Sequence, residues 1–315
     1  MASTEEARCS SVLEDDDGVS GRTSVEKLRS VLLDEGASIA LRNRAAFWLR
    51  ERPSDDKARA ALREAVVQKG DSLLLRHEIA YILGQMGNED AVETLCGIVR
   101  DSSDAAIVRH EAAEALGAIG STAAIATLEA HANDSMPEVA ETCSLALDLM
   151  RWRANNSLDD GNAYKSVDPA PASDSKNVES LSHTLLDDDV SLWDKYRAMF
   201  ALRDIGSKEA VSALATAVVL PRERLKSDLL RHELAFVLGQ LASDDAKDAL
   251  EAILRDTTMH SMVRHEAAEA LGALKPDTVT HILESFSHQT TDDDDVVTQS
   301  CEVALDAMAY YSSSS

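Results

Sequence analysis

From Val25 onward, apolar residues return every three or four positions and are interrupted by short polar turns rich in Asp, Ser and Asn. That rhythm predicts amphipathic helices joined by short connections. The stretch "NEDAVETLCGIVRDSSDAAIVRHEAAEALGAIG", residues 88–120, shows the unit. It reads as one amphipathic helix, a turn at "DSSD" whose Asp and Ser suit helix capping, and a second helix ending near Gly120. One hairpin of this size cannot bury its apolar face alone, so neighbours must stack. Reading outward gives hairpins at 24–51, 56–87, 88–120 and 121–152, then at 178–206, 207–242, 243–274 and 275–310.

A longer period relates the two sets. "RAAFWLRE" at Arg44 matches "RAMFALRD" at Arg197, and "CSLALDLM" at Cys143 matches "CEVALDAM" at Cys301. The expected architecture is therefore all-α: an α-solenoid of eight HEAT-like hairpins in two pseudo-twofold-related blocks of four, 24–152 and 178–310. Residues 153–177 are polar, contain Pro169 and Pro171 and lack a helical period, so a flexible linker is expected there. Residues 1–23 and 311–315 are expected to be disordered tails.

Composition supports this picture and narrows the function. Apolar residues reach 44% while aromatics are only 4%, a mix that favours closely packed helices. A net charge of -25 makes phosphate-backbone binding a poor expectation, so no nucleic acid partner is predicted. The acidic excess reads either as solvated helix faces or as a surface that attracts a basic substrate. Cys9, Cys96, Cys143 and Cys301 lie far apart with no CxxC pair, which argues against a disulfide framework or a cysteine zinc site. The N-terminus lacks the apolar core of a signal peptide, and no stretch approaches the roughly 20 apolar residues of a membrane helix. A cytoplasmic monomer with no membrane contact is expected.

The candidate chemistry lies in a dipeptide. Arg-His-Glu begins at Arg76, Arg109, Arg231 and Arg264, each His stands seven residues before a Gly, and these four account for four of only nine histidines. A packing preference should recur in all eight hairpins. It does not: the equivalent places hold Asn43 and Arg44, Glu141 and Thr142, Tyr196 and Arg197, Gln299 and Ser300. The dipeptide is confined to the two middle hairpins of each block, which line the centre of such an array. Second helices of stacked hairpins lie roughly 10 Å apart, so His77 and His110 can reach one point, as can His232 and His265. Two imidazoles and one carboxylate with open positions form a ligand set of non-haem iron sites that activate oxygen. The pattern leaves open which glutamate of each half ligates. Blocks facing each other about a pseudo-twofold axis would bring the two sets together as a dinuclear site.

The surrounding residues read as frame. The Arg, the paired Ala and the Leu-Gly fit the hairpin itself, with the Gly permitting close helix approach or a helix end. Glu114 and Glu269, one turn after His110 and His265, are either exposed neighbours or groups that orient the imidazoles. Tyr81 and Phe236 are expected to pack, and His131, His183, His260, His281 and His288, which have no matched copy, to be structural.

The second-helix pattern is similar to the HEAT-like repeats of the bilin-lyase type, R-x-x-A-A-x-A-L-G. Four His-Glu dipeptides on two such sets, with a linker between, resemble deoxyhypusine hydroxylases over about Val25 to Tyr310. The resemblance implies a non-haem di-iron monooxygenase that uses two iron ions (Fe2+) and molecular oxygen. Its substrate would be the deoxyhypusine side chain, a lysine extended by an aminobutyl group, on translation factor five A. By position, the resemblance makes His77, His110, Glu111, His232, His265 and Glu266 iron ligands, and it makes Glu78 and Glu233 the catalytic-site carboxylates that hold the substrate. The N-terminal tail, the linker and the acidic run at 292–295 depart from a compact pattern without touching the motif. Two other readings use the same repeat: a non-catalytic protein-binding scaffold, which predicts tolerant His-Glu positions, and a bilin-lyase-like chaperone, which gives them no role.

Overall fold

The computed structural model describes residues 23–156, 163–287 and 295–313. The tail expected before Thr23, residues 157–162, most of the acidic run, His288 and the last two residues lie outside the described residues. Within them the chain forms sixteen α-helices and no strand. These are α1 (Val25–Leu32), α2 (Ile39–Arg50), α3 (Asp56–Val66), α4 (Leu73–Met86), α5 (Val92–Arg100), α6 (Ala106–Ile119), α7 (Ile125–His131) and α8 (Pro137–Asn155). There follow α9 (Val178–Leu186), α10 (Leu192–Ile205), α11 (Lys208–Val218), α12 (Asp228–Leu241), α13 (Lys247–Arg255), α14 (Ser261–Gly272), α15 (Pro276–Phe286) and α16 (Asp295–Ser313). Taken two by two, seven of the eight expected hairpins pack as pairs, whereas the helices of the fourth, α7 and α8, fall in different units. At the C-terminus, α16 runs to Ser313, beyond the expected helix end at 310. No described helix is long and apolar enough to cross a membrane.

Packing divides the chain into two units at the His131–Ala132 bond. The first holds α1–α7 and the second α8–α16. The sequence repeat pairs α8 with the first block, whereas its contacts tie it to α10 and α12. One of these ties is visible at Glu141 of α8, which accepts a 2.6 Å hydrogen bond from Ser227 Oγ.

Helix starts follow side-chain chemistry. Ser38, Ser72, Ser207 and Ser227 each accept from the third amide of the helix that follows, satisfying one of its orphan donors. At "DSSD" the structure departs from the expected cap. The residue before α6 is Ala105, with no side-chain cap, because Asp104 is engaged elsewhere: its carboxylate receives Arg76 NH1 and NH2 at 2.8 and 2.6 Å. Arg76 Nε also donates to Val66 O at the end of α3. Arg42 does the same one hairpin earlier, with Asp71 and Leu32 O. Arg109 and Arg264 reach Val99 O and Leu254 O, and Arg231 reaches Val218 O as well as Leu220 O and Leu225 O in the following loop. The recurring arginine thus ties its own helix to the end of the first helix of its hairpin. Burial raises the Asp71 and Asp104 carboxyls, but hydrogen bonds from Arg42 and Arg76 override it and hold both below the usual range.

The glycine seven residues after His serves helix approach. A Cβ on Gly84 would stand 2.7 Å from Ala115 Cα, and one on Gly239 would stand 3.0 Å from Ala270 Cα. On Gly272 it would meet Ala304 Cβ at 2.7 Å. The ends of α4 and α6 are made instead by Gly87 and Gly120, at φ 67° and 74°.

Residues 163–177, read from sequence as flexible linker, run as an irregular strap held on the second unit. Arg203 grips Asp168 through two nitrogens at 3.0 and 2.7 Å and faces the Tyr164 ring at 4.7 Å. Arg197 Nε donates to Pro171 O, Ser173 N donates to Arg197 O, and Ala170 is fully buried. Fixed backbone angles at Pro169 and Pro171 lower the entropy lost in ordering such a segment.

Candidate metal centre

The second helix of a middle hairpin is packed on nearly every side. In α4 the buried residues run from Leu74 to Ala80 without a break and resume at Ile82, Leu83 and Gly84. A helix buried all round should be apolar throughout. Here it carries His and Glu, and so do α6, α12 and α14. None of the eight residues, His77, Glu78, His110, Glu111, His232, Glu233, His265 and Glu266, is more than 6% exposed.

In the first unit, α4 packs along α6, and the Gly84–Ala115 approach brings the two backbones close. The imidazoles of His77 and His110 then stand 5.4 Å apart between ring centroids, and His77 Nε2 lies 3.2 Å from Glu111 Oε2. One ligand atom from each of His77, His110 and Glu111 falls within 4.8 Å of the others. His77 Nδ1 donates toward Glu78 Oε1 at 3.0 Å, on the other edge of the ring. A carboxylate on the second nitrogen is what commonly fixes the orientation of a metal-ligating imidazole.

The second unit repeats the imidazole pair and the imidazole–carboxylate contact on α12 and α14. His232 and His265 are 5.3 Å apart, and His232 Nε2 lies 3.3 Å from Glu266 Oε2. Glu233 is buried beside His232. The candidates Glu114 and Glu269 do not share that burial. Glu269 keeps 23% of its side chain exposed, stands 3.7 Å from His265 Nδ1 and accepts from Ser300 Oγ at 3.1 Å.

The donor sets fit a divalent transition metal. Each contains two imidazoles and one carboxylate, a composition compatible with a divalent transition metal. Electrostatics favours a cation at the first set in particular. Burial opposes charging His77, yet the Glu111 and Glu78 carboxylates outweigh it and hold the imidazole well above its usual pKa. Those carboxylates therefore stabilise positive charge between them.

Of the other described histidines, His131 and His260 make local contacts, while His183 and His281 are exposed. His131 Nδ1 contacts Thr127 O at 2.8 Å, and His260 caps α14 by accepting from Met262 N. Tyr81 is half-buried with its ring near Arg50, and burial pushes its phenol pKa up. Cys96, Cys143 and Cys301 are buried. Sequence reasoning missed the aspartate partners of the arginine frame, although Arg42–Asp71 and Arg76–Asp104 recur at separations of 29 and 28 residues. That recurrence was the available signal.

Comparison with known proteins agrees with the fold and narrows the family. The model for HEAT repeats matches residues 25–107, 66–148 and 219–306, and that for the PBS lyase HEAT-like repeat matches 194–219. Deoxyhypusine hydroxylase of Danio rerio is 42% identical over 290 residues, 90% of this chain and 92% of the relative. The Dictyostelium discoideum enzyme of the same name is 43% identical over 91% of this chain and 89% of its own. Human deoxyhypusine hydroxylase, solved in complex with glycerol, matches with TM-score 0.84 at 40% identity, covering 91% of this chain and 96% of that one. The chain belongs to the deoxyhypusine hydroxylase family.

Proposed function

We propose that the chain is a non-haem di-iron monooxygenase that hydroxylates the deoxyhypusine side chain of translation factor five A in the cytoplasm, completing hypusine. The observation that carries the reading is the duplicated buried donor set: a His pair with ring centroids 5.4 and 5.3 Å apart and a His–Glu contact of 3.2 and 3.3 Å, once in each unit. A protein-binding scaffold has no use for burying four carboxylates, each of which costs several kcal/mol unless matched by a cation.

In this reading His77, His110 and Glu111 hold one iron, and His232, His265 and Glu266 the other. When bound, the iron pair supplies the redox chemistry that puts one atom of molecular oxygen into a C–H bond, the other leaving as water with two electrons and two protons from an external donor. The remaining tasks belong to side chains. Glu78 and Glu233 accept hydrogen bonds from the ammonium groups of the substrate, a charge-assisted contact roughly twice as strong as a neutral one. Holding the amines at fixed points positions the reacting carbon, which is where such a protein gains rate. Glu78 also fixes the His77 ring through Nδ1. The inner helices exclude bulk water from the donor sets, limiting side reactions.

The test is metal content together with turnover. Protein reconstituted anaerobically with Fe2+ should hold about two irons per chain, one for each donor set. With a reductant and oxygen it should add one oxygen atom to deoxyhypusine-bearing protein. Reconstituted protein that binds no iron would overturn the reading in favour of a scaffold.

A further inference from the structure

Helix α8 carries no His-Glu pair. At the position equivalent to the His on neighbouring second helices it presents Glu141. That residue borders a cavity of about 380 Å³ in the second unit, between α8 and the start of α10. The walls include Glu141, Leu145, Asp148 and Trp152 of α8, with Ser191 and Trp193 at the head of α10. Positions 141, 145, 148 and 152 fall on one stripe of a helix. Two of the three tryptophans of the chain therefore flank two carboxylates, and both indoles are only half-buried.

Two carboxyl groups, Glu141 and Asp148, line the cavity, with no basic side chain among the lining residues. Glu141 is bonded to Ser227 Oγ, and burial pushes its carboxyl pKa up, with the Asp228 and Glu138 carboxylates also acting. Arg222 pairs with Asp228, and His260 Nε2 stands 4.0 Å from Glu138 Oε1. Asp148 meets Arg151 at 2.9 Å, an exposed pair worth little in water. An alkyl stem can lie against the indoles while its ammonium group meets both the ring faces and the carboxylates.

We propose that this pocket holds the side chain of a lysine of the protein substrate, close in sequence to the residue being modified. The inference rests on the function proposed above and adds a docking contact to it. Its location supports that role. Ser227, whose hydroxyl touches Glu141, caps α12 five residues before His232, roughly 7–8 Å of helix. An extended chain covers about 3.3 Å per residue, so a lysine two to four residues from the reacting side chain spans such a distance. The net charge of -25 fits a basic partner.

The test titrates the iron-loaded protein with Nα-acetyl-lysine N-methylamide while tryptophan emission is followed, using the norleucine derivative as the uncharged control. The lysine compound should give a saturable change at millimolar concentration and the norleucine compound none. The double variant Glu141→Gln/Asp148→Asn should weaken that binding and raise KM for the protein substrate about tenfold each, the effect of losing a partly desolvated cation site. The side-chain amide introduced by Glu141→Gln keeps an acceptor for Ser227; Trp193→Leu, which leaves that bond alone, gives a second variant with the same expected loss. No saturable change, an equal response to norleucine, full affinity in the variants or an unchanged KM would each overturn the proposal. Because the titration needs no turnover, a protein that hydroxylates nothing removes the function while the pocket is still decided on its own.

Discussion

Replacing Gly84 with alanine tests whether the spacing of α4 and α6 sets the first donor set. A Cβ at this position would lie 2.7 Å from Ala115 Cα and 2.9 Å from Ala115 Cβ, where the first obstacle is backbone. Carbon atoms pack best at about 3.5–4.0 Å, so the two helices must part by about 1 Å. Overpacking of this kind costs about 1–3 kcal/mol, while alanine recovers about 0.5–1 kcal/mol of helix propensity. The net expectation is a loss of about 1–2 kcal/mol and a melting temperature a few degrees lower. The same movement separates His77 from His110 and Glu111 by more than the roughly 0.5 Å that a preorganised site tolerates. Iron per chain should fall from about two toward one, because only the first donor set is disturbed. Gly97→Ala is the control: Gly97 is exposed in α5 with nothing within 4 Å of a built Cβ, so this variant should be neutral or slightly stabilised with full iron. Calorimetry and metal analysis on the pair decide the matter. If Gly84→Ala melts like Gly97→Ala and keeps its iron, the close approach does not set the site.

Other expectations follow from the same geometry. His110→Ala and His265→Ala should each lose about one iron per chain, read by metal analysis; full retention in both would refute the ligand assignment. Glu78→Gln and Glu233→Gln should keep iron at both sets yet lower kcat/KM for the protein substrate by about tenfold or more, since a carboxylate–ammonium contact is lost. Arg76→Met leaves Asp104 buried without its partner and should cost about 3–5 kcal/mol in urea unfolding; a loss below about 1 kcal/mol would show the pair to be ornamental. Acid should act through the same pairs. Asp71 and Asp104 have lowered folded-state pKa values, so the stability they contribute is present above the unfolded carboxylate pKa and lost as pH falls through the lowered values. Melting temperature should drop steeply below about pH 4, and Asp104→Asn, already destabilised at neutral pH, should show a shallower drop.

The helical hairpins could be read from the chain because their signal is local. Apolar residues three and four apart share a helix face, and Ser at a helix start serves its own first turn, so neither needs a distant partner. The His-Glu dipeptide stood out because hairpins of the same fold dispense with it, as Asn43, Glu141, Tyr196 and Gln299 show. Pairing His77 with His110 also followed, since second helices of stacked hairpins must be neighbours. Contacts between hairpins were decided by tertiary structure. Sequence allowed Gly84 to be a helix end or a close approach, and only the position of Ala115 selects the latter. Asp104 looked like a cap until Arg76, from another hairpin, claimed its carboxylate. Residues 163–177 lack periodicity, which says they are not helical and nothing about whether Arg203 and Arg197 hold them down. Trp152 and Trp193 are 41 positions apart and unremarkable in the string, yet α8 and α10 bring them to one cavity beside Glu141. Helix periodicity is a property of a few consecutive residues, whereas a buried charge or an open pocket takes its energy from whatever the fold places next to it.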